Sequence, residues 1–313
     1  MSKFAPIHII SCYSFLKSGL TIKKIVRSID KQGYSGAGIS DFDGMYGVPE
    51  FVHAMEEVKK PYLIGLNITI EGANLSLYVL NEEGYHHLIN INTASQKDEL
   101  NLDTLQSNSG GLACVIETNH GAFQEKFSLL EKVDTNFTKW LSEFAKPFGE
   151  RFYLGIEIVD KSSKAMMDKV RQFAKDYSYR CIAFPRVRYE KKDDAIVLKI
   201  VSAISEGINI KEKKAEGYEY FMAETAYHKI YSEDEIEATF TLLKQSEFSF
   251  MQKRGEMLHY SGRDADEELK EMAFAKLKSL SLDNKLEYFE RLNYELSTIS
   301  SMGYSDYFLL VQD

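Results

Sequence analysis

Short apolar runs of strand length alternate with amphipathic stretches of helical period along the first two thirds of this 313-residue chain. Glycine, proline or polar turn residues bound the apolar runs, as is typical of buried strands. Repeated strand–helix alternation favours parallel β/α units in which helices cover a sheet, so the predicted fold class is α/β. The predicted strands are 6–10, 34–39, 61–70, 75–80, 111–116, 152–158 and 181–184.

Helical stretches separate most of these strands and dominate after about residue 207. One helix is expected to begin at Ser162 or Ser163, because either side chain can serve as an N-cap. Residues 212–217 are charged and are expected to form a loop. The apolar run 307–311, a strand or the start of a helix, breaks off at Asp313, which predicts a truncated chain. The other predicted helices are 20–29, 84–95, 123–133, 137–148, 193–204, 224–231, 232–245, 265–280 and 285–301.

Composition limits the possible classes of protein. Hydrophobic residues make up 44% and charged residues 27%, as in globular proteins, and no run approaches the roughly 18 apolar residues of a membrane span. Cys12, Cys114 and Cys181 match neither a zinc spacing nor a disulfide framework, so we expect a cytoplasmic protein. The net charge of −9 argues against a primary DNA-binding surface.

The stretch 38–51 places a carboxylate where a strand becomes a helix. Asp41, Asp43 and Gly44 are expected to form a turn, and Pro49 to open the following helix. Barrels of β/α units carry their chemistry on such loops, which makes Asp41 a candidate site residue.

Two sets of motifs carry a resemblance to a known family. Residues 294–311, which contain Tyr-Glu-Leu and Met-Gly-Tyr-Ser-Asp-Tyr-Phe-Leu-Leu-Val, resemble the start of the palm region in bacterial replicative (C-family) DNA polymerase III alpha subunits. Residues 8–16 read His-Ile-Ile-Ser-Cys-Tyr-Ser-Phe-Leu and resemble the first motif of their N-terminal polymerase and histidinol phosphatase (PHP) domain. Further similar segments, in the family's order, are 40–51, 61–65, 81–88, 151–154 and 188–189.

The resemblance implies a distorted (β/α)7 barrel followed by a mostly helical region. A PHP domain would span residues 1–255, with a barrel core of about 1–207 and a helical extension at 208–255. Residues 256–313 would begin the polymerase palm. The full-length family members add deoxynucleotides to a primer and use Mg²⁺. Their palm aspartates and glycine-rich loop match no stretch here, so we predict no catalytic residue in this fragment.

Intact PHP domains hold metal ions at the barrel mouth through histidines and carboxylates. The resemblance leaves His8 and Asp41 as remnants of that site, and the family's cysteine falls near Thr118, whereas Cys114 is expected in the core. Arginine is always protonated and cannot bind a metal. We therefore expect no metal cofactor in this fragment. The positions at which the family's ligands are lost are Ile10, Phe42, Asn67, Arg186 and Arg188.

The remaining polar groups have less specific interpretations. Asp41 is expected to accept hydrogen bonds from turn amides or to pair with arginine, and we predict an ion pair between Asp41 and Arg186 or Arg188. The same arginines could instead hold a phosphate or sulfate. The adjacent His86 and His87 point apart on a helix. The histidines without partners at metal spacing are His53, His120, His228 and His259.

The predicted local role is a structural and interaction scaffold. The expected partners are the downstream polymerase domains, primer–template DNA through the full-length protein, and replisome subunits such as a proofreading exonuclease or the sliding clamp, with no membrane. Two alternatives stay open. One is a metal-dependent PHP phosphoesterase or 3′–5′ exonuclease with a reduced ligand set, and the other is a binding protein that ends at Asp313.

Overall fold

The computed structural model describes residues 4–130, 134–212, 217–250, 259–260 and 264–312. The chain divides into two compact units, Met1–Phe250 and Met251–Asp313. The predicted domain border between residues 255 and 256 lies outside the described residues and stays a prediction. Within the described residues, no helix combines the length and the apolar character needed to cross a membrane.

The first unit is built on one six-stranded sheet whose strands follow each other in chain order. β3 runs antiparallel to both β2 and β4, and the other neighbouring pairs are parallel. A two-residue turn joins β2 to β3, with Glu71 at φ 49° and Gly72 at φ 77°, as tight hairpins require. The expected β/α alternation is interrupted at this hairpin. The strands are β1 (Ala37–Phe42), β2 (Tyr62–Ile70), β3 (Ala73–Val79), β4 (Leu112–Glu117), β5 (Phe152–Ile156) and β6 (Arg180–Ala183).

The segment 6–10 lies between the two edges of the sheet. Ile9 forms parallel bridges to Ile39 of β1 on one side and to Val187, beyond β6, on the other. The Ser40 amide donates to the Ile9 carbonyl over 2.9 Å, and the Ile10 amide donates to the Val187 carbonyl over 3.0 Å. The predicted strand at 6–10 is thus reduced to one bridging residue, but it closes the sheet. The predicted α/β, barrel-like fold is confirmed.

Ten α-helices accompany the sheet in the described part of the first unit. Most were predicted within a few residues, but α4 was not. The predicted N-cap of α7 is wrong, because Asp160 caps the helix and Ser163 hydrogen-bonds back to the Asp160 amide in a capping box. The helices are α1 (Ile22–Gln32), α2 (Val48–Glu57), α3 (Glu82–Gln96), α4 (Leu102–Ser107), α5 (Gly121–Ser128), α6 (Thr135–Ala145), α7 (Lys161–Asp176), α8 (Ala195–Glu206), α9 (Glu224–Tyr227) and α10 (Glu233–Gln245).

Two hydrophobic clusters hold the first unit together, one between the sheet and its outer helices and one on the inner side of the sheet. The inner cluster contains Val115 and Phe184 from the strand region and Leu242 and Leu243 from α10. Leu243 fills the space beside Gly36, just before β1, so α10 packs at the amino ends of the strands. The carboxyl ends are left for polar side chains.

The second unit is helical in its described residues. It contains α11 (Ala265–Ser279), α12 (Lys285–Ser301), which has the predicted bounds, and α13 (Ser305–Gln312). The apolar run 307–311 is therefore helical. Ser300 of α12 donates a 2.6 Å hydrogen bond to Asp266 of α11, and Leu309 is buried.

Candidate functional site: the polar mouth of the barrel

Three charged side chains meet at the carboxyl ends of neighbouring strands. Glu117 is the last residue of β4, Glu157 directly follows β5, and Arg186 lies three residues beyond β6. Side chains two residues apart share one face of a strand, so Glu117 continues the inward face of Val115. Both glutamates are almost fully buried, and the Arg186 side chain is 10% exposed.

One edge of the Arg186 guanidinium lies between the two carboxylates. Its Nη2 is 2.7 Å from Oε2 of Glu117, and its Nε is 3.4 Å from Oε1 of Glu157. A planar guanidinium is suited to such bridging because its N–H donors have a fixed geometry. The arginine therefore neutralises part of the charge of two buried acids at once.

A histidine approaches the second oxygen of each glutamate. Nε2 of His8 is 3.4 Å from Oε1 of Glu117, and Nε2 of His120 is 3.0 Å from Oε2 of Glu157. His8 is fully buried and stacks on Phe184, with ring centroids 4.1 Å apart, whereas the His120 side chain is 38% exposed. The mouth thus carries the order His8, Glu117, Arg186, Glu157, His120.

The pKa shifts follow from burial and from Arg186. Burial opposes ionisation of Glu157, but the positive charge of the nearby Arg186 and the close contact with His120 outweigh it and lower the pKa to about 2. Burial, followed by the positive charge of Arg186, lowers the pKa of His8 well below its usual range. At neutral pH, Glu157 is therefore ionised and His8 is uncharged.

Two serines donate hydrogen bonds to the carboxylate of Asp41. Its carboxylate accepts hydrogen bonds of 2.7 Å from the Ser11 amide, the Ser11 hydroxyl and the Ser14 hydroxyl. Burial raises the pKa of Asp41, and these three hydrogen bonds partly offset that increase. Asp41 is therefore a structural acceptor for the turn, as one of the two sequence interpretations proposed.

The predicted ion pair of Asp41 with Arg186 or Arg188 is wrong. Arg186 pairs with Glu117 and Glu157, while Nε of Arg188 donates to Oε1 of Glu219 over 2.9 Å. The physical reason is that three donors already surround the Asp41 carboxylate, whereas the glutamates need a cation. Arg186 does lie between carboxylates, but they belong to Glu117 and Glu157 and not to Asp41.

Asn67 takes part in the sheet itself. Its Nδ2 donates to the Ser40 carbonyl over 2.6 Å, and its Oδ1 accepts a short hydrogen bond from the Ser76 hydroxyl. These bonds link β2 to β1 and β3. The amide of Asn67, which the resemblance made a lost ligand position, is thus used to hold three strands in register.

The other positions named from the sequence are packing positions. Ile10, Cys114 and Thr118 are fully buried, and the Thr118 hydroxyl donates to the Gly155 carbonyl over 2.6 Å. Phe42 is partly buried, and the Lys17 ammonium lies 4.0 Å from its ring centroid. The core position predicted for Cys114 is confirmed.

The residues present do not fit the metal centre that the resemblance implies. The Arg186 guanidinium lies against both mouth glutamates, and the Asp41 and Asn67 side chains are used in hydrogen bonds. In the described part of the chain, no group of three or more histidine, cysteine, aspartate or glutamate residues is arranged to hold a metal ion. The ion pairs of Arg186 can instead hold together the ends of β4 and β5 and the segment after β6.

Sequence reasoning missed Glu117, Glu157 and His120. His120 was set aside because no partner at metal spacing is visible in the sequence, and its partner Glu157 is 37 residues away. The period-two pattern of β4 and β5 could have placed both glutamates on the inward face. It could not have paired them with Arg186.

Two family profiles match the chain, in the order expected from its motifs. Residues 6–158 match the PHP domain, and residues 267–313 match the bacterial DNA polymerase III alpha NTPase domain. The first match shows that residues 6–158 are similar to the PHP domain.

Similarity to individual proteins extends over nearly the whole chain. Across 99% of its length it is 26% identical to DNA polymerase III subunit alpha of Streptococcus pyogenes serotype M6 and 24% identical to that of Bacillus subtilis. The chain spans only 28% and 29% of the length of these two relatives. The chain is thus similar to DNA polymerase III alpha subunits, and its first part is similar to the PHP domain.

A solved structure was also matched. It is an amidohydrolase from Chromobacterium violaceum with bound sulfate and no metal, which is 10% identical with a TM-score of 0.41. The match covers 57% of this chain and 86% of that one.

Proposed function

We propose that this chain is the N-terminal portion of a DNA polymerase III alpha subunit, a DNA-directed DNA polymerase. The observation that carries the proposal is the similarity to alpha subunits over 99% of the chain, with both family matches in the expected order. In the full-length protein, deoxynucleotide addition to primer–template DNA would use Mg²⁺ bound outside this chain.

Primer extension tests this proposal. The protein encoded by the complete reading frame should extend a labelled primer on a DNA template when Mg²⁺ and the four deoxynucleotides are supplied. The 313-residue chain alone should give no extension. A longer protein that fails to extend the primer, or a reading frame that ends at Asp313, would contradict the proposal.

For the PHP domain we propose a metal-free scaffold role. The bridging of Glu117 and Glu157 by Arg186 supports it, because a fixed guanidinium between the acids leaves them poorly suited to metal catalysis. The surfaces of the barrel would then serve neighbouring polymerase domains or replisome subunits, such as a proofreading exonuclease or the sliding clamp.

A hydrolysis assay separates this role from the alternative of a PHP phosphoesterase or 3′–5′ exonuclease. The chain is incubated with 3′-labelled single-stranded DNA and with a simple phosphomonoester, in Mn²⁺ or Zn²⁺. The scaffold role predicts no hydrolysis above that of a heat-denatured sample. Hydrolysis that is lost in Glu157→Gln and kept in the surface variant Asp43→Asn would establish the alternative.

A further inference from the structure

We propose that α8 is a homodimer interface, at which two copies of this chain pack their α8 helices antiparallel about a two-fold axis at Ile200. The inference concerns a surface that includes none of the mouth residues, and it does not depend on the polymerase function proposed above. It starts from the pattern of apolar residues in α8, which is reversed relative to that of an ordinary surface helix.

The first observation is that the apolar stripe of α8 points to solvent. Ile196, Ile200 and Ile204 follow each other at intervals of four residues, so they lie along one face of the helix. These residues are 51%, 42% and 61% exposed. A helix that packs on a globular core normally turns such a stripe inward and its charged residues outward.

The opposite face of α8 is the one that is covered. Leu198 and Ala203 are buried, and Lys199 and Ser202 are half-buried. Lys199 is the only charged residue between positions 195 and 205, and it lies on this inner face. The outward face therefore lacks the charged residues of a solvated surface, as the centre of a protein–protein interface does.

The second observation is the area of the apolar surface. Val197, together with Ile208 and Ile210 just beyond α8, is also more than one third exposed. With the three isoleucines of the stripe, these residues expose roughly 450 Å², a size at which apolar patches commonly mark interaction sites. A stable interface takes about 800 Å² from each partner, and about two thirds of that area is apolar in homodimers. The α8 surface therefore supplies most of the apolar area that a dimer of this chain needs.

The third observation is that the stripe is symmetric about its central residue. Ile196 and Ile204 lie four residues from Ile200, in opposite directions along the helix. Two antiparallel copies therefore bring Ile200 against Ile200 and each Ile196 against an Ile204. A two-fold contact requires this kind of self-complementary surface.

The charged residues at the ends of α8 favour the antiparallel arrangement. Lys192 and Asp193 precede the helix, Glu206 ends it, and Lys211 follows. In an antiparallel pair, Lys192 can approach Glu206 of the other copy, and Asp193 can approach Lys211. In a parallel pair, every charge would meet its own copy and be repelled. Both the stripe and its flanking charges are thus complementary to themselves, which selects a second copy as the occupant of this face.

Sedimentation velocity of the 313-residue chain tests the proposal. Over about 1 to 100 µM the native chain should shift from monomer to dimer, with a dissociation constant on the order of 10 µM. Ile200→Asp should weaken dimerisation at least about 100-fold, because two carboxylates then face each other at the axis. Leu129→Asp is the matched control, since Leu129 is 84% exposed and follows α5. Its dissociation constant should stay within about twofold of the native value.

Disulfide cross-linking locates the axis. All cysteine variants carry Cys12→Ser, which removes the exposed native thiol. On oxidation, Ile200→Cys should form a covalent dimer, and the Cys12→Ser background alone should not. Ile196→Cys should not link to its own copy, because the antiparallel pair places the two positions about 12 Å apart. A mixture of Ile196→Cys and Ile204→Cys should link.

Several results would overturn the proposal. They are a native chain that stays monomeric at about 100 µM, an Ile200→Asp variant that dimerises as the native chain does, and an Ile196→Cys variant that links to itself as readily as Ile200→Cys. If the native chain is monomeric and α8 is protected from hydrogen exchange only in the protein encoded by the complete reading frame, a downstream domain covers α8 instead of a second copy.

Discussion

Nη2 of Arg186 lies 2.7 Å from Oε2 of Glu117, although the two residues are 69 positions apart in the chain. This contact joins the segment after β6 to the end of β4, and the same guanidinium also reaches Glu157. The barrel thus carries an arginine between two acids at its mouth. The predictions below test what that arrangement contributes.

Glu117→Gln should destabilise the first unit. The substitution keeps the shape of the side chain but removes the charge that faces the buried Arg186, which should lower the free energy of unfolding by about 3 kcal/mol. Urea denaturation followed by circular dichroism measures the change. Glu50→Gln, on the surface of α2, is the control and should change stability by less than about 0.5 kcal/mol. Equal stability of Glu117→Gln and the native chain would contradict the prediction.

Asp41→Ala should weaken the turn after segment 6–10. The variant leaves the Ser11 amide and the Ser11 and Ser14 hydroxyls without their acceptor, at a cost of about 1–3 kcal/mol in unfolding free energy. Asp43→Asn is the control, since the Asp43 side chain is exposed and its carboxylate pairs with Lys17 at the surface. Denaturant titration distinguishes the two. Metal content should be the same in both, and a loss of bound metal specific to Asp41→Ala would contradict this account.

His8 should make stability depend on pH below about 6.5, the usual pKa of histidine. The pKa of His8 is lowered in the folded chain, so the unfolded chain binds the proton first. The free energy of unfolding therefore falls as pH decreases below that value, by at most about 1.4 kcal/mol per pH unit. Glu157, with a pKa of about 2, adds a loss of the same sign only in more acidic solution. The raised pKa of Asp41 acts in the opposite direction.

The difference between the native chain and His8→Gln isolates this contribution, because all other histidines are common to both. Unfolding midpoints are measured between pH 5 and pH 8. The native curve should descend more steeply toward pH 5 than the variant curve. Parallel curves would show that His8 is not held neutral by the fold.

Gly84→Ala should prevent proper packing of α3. A Cβ at Gly84 would lie 1.9 Å from the carbonyl oxygen of Gly111, a backbone atom that cannot move aside cheaply. We expect a loss of more than about 3 kcal/mol in unfolding free energy. At the control position Gly207 a Cβ meets nothing within 4 Å, so Gly207→Ala should cost only the strain of its φ of 65°, about 1–2 kcal/mol. Equal stability of the two variants would contradict this explanation.

Much of the fold could be predicted because strand and helix periods are local signals. The bounds of α12 agree with the prediction, and β2 and β3 differ from it by no more than two residues. The short α4 was missed because its six residues give the period too little length. The antiparallel β3 was not foreseen either, although only two turn residues separate it from β2 and a parallel crossover needs many more.

The site was harder to predict because ion pairs between distant residues leave no local pattern. Motif comparison placed His8 and the two arginines near the mouth. It gave no reason to choose Glu117 or Glu157, since each lies at the end of an ordinary apolar strand. The sequence comparison interprets Asn67 as a lost ligand. Its structural role is visible only in the folded chain, where Ser40 and Ser76 lie beside it.

Metal analysis of the native chain tests the central claim that an arginine, and not a metal ion, balances the acids of the barrel mouth. The chain is purified without chelator, and its zinc, manganese and iron are measured by mass spectrometry, with anomalous scattering from crystals to locate any ion. The account predicts no stoichiometric metal and no anomalous peak near Glu117 and Glu157. One or more tightly bound ions per chain at the mouth, lost in Glu117→Gln, would contradict it.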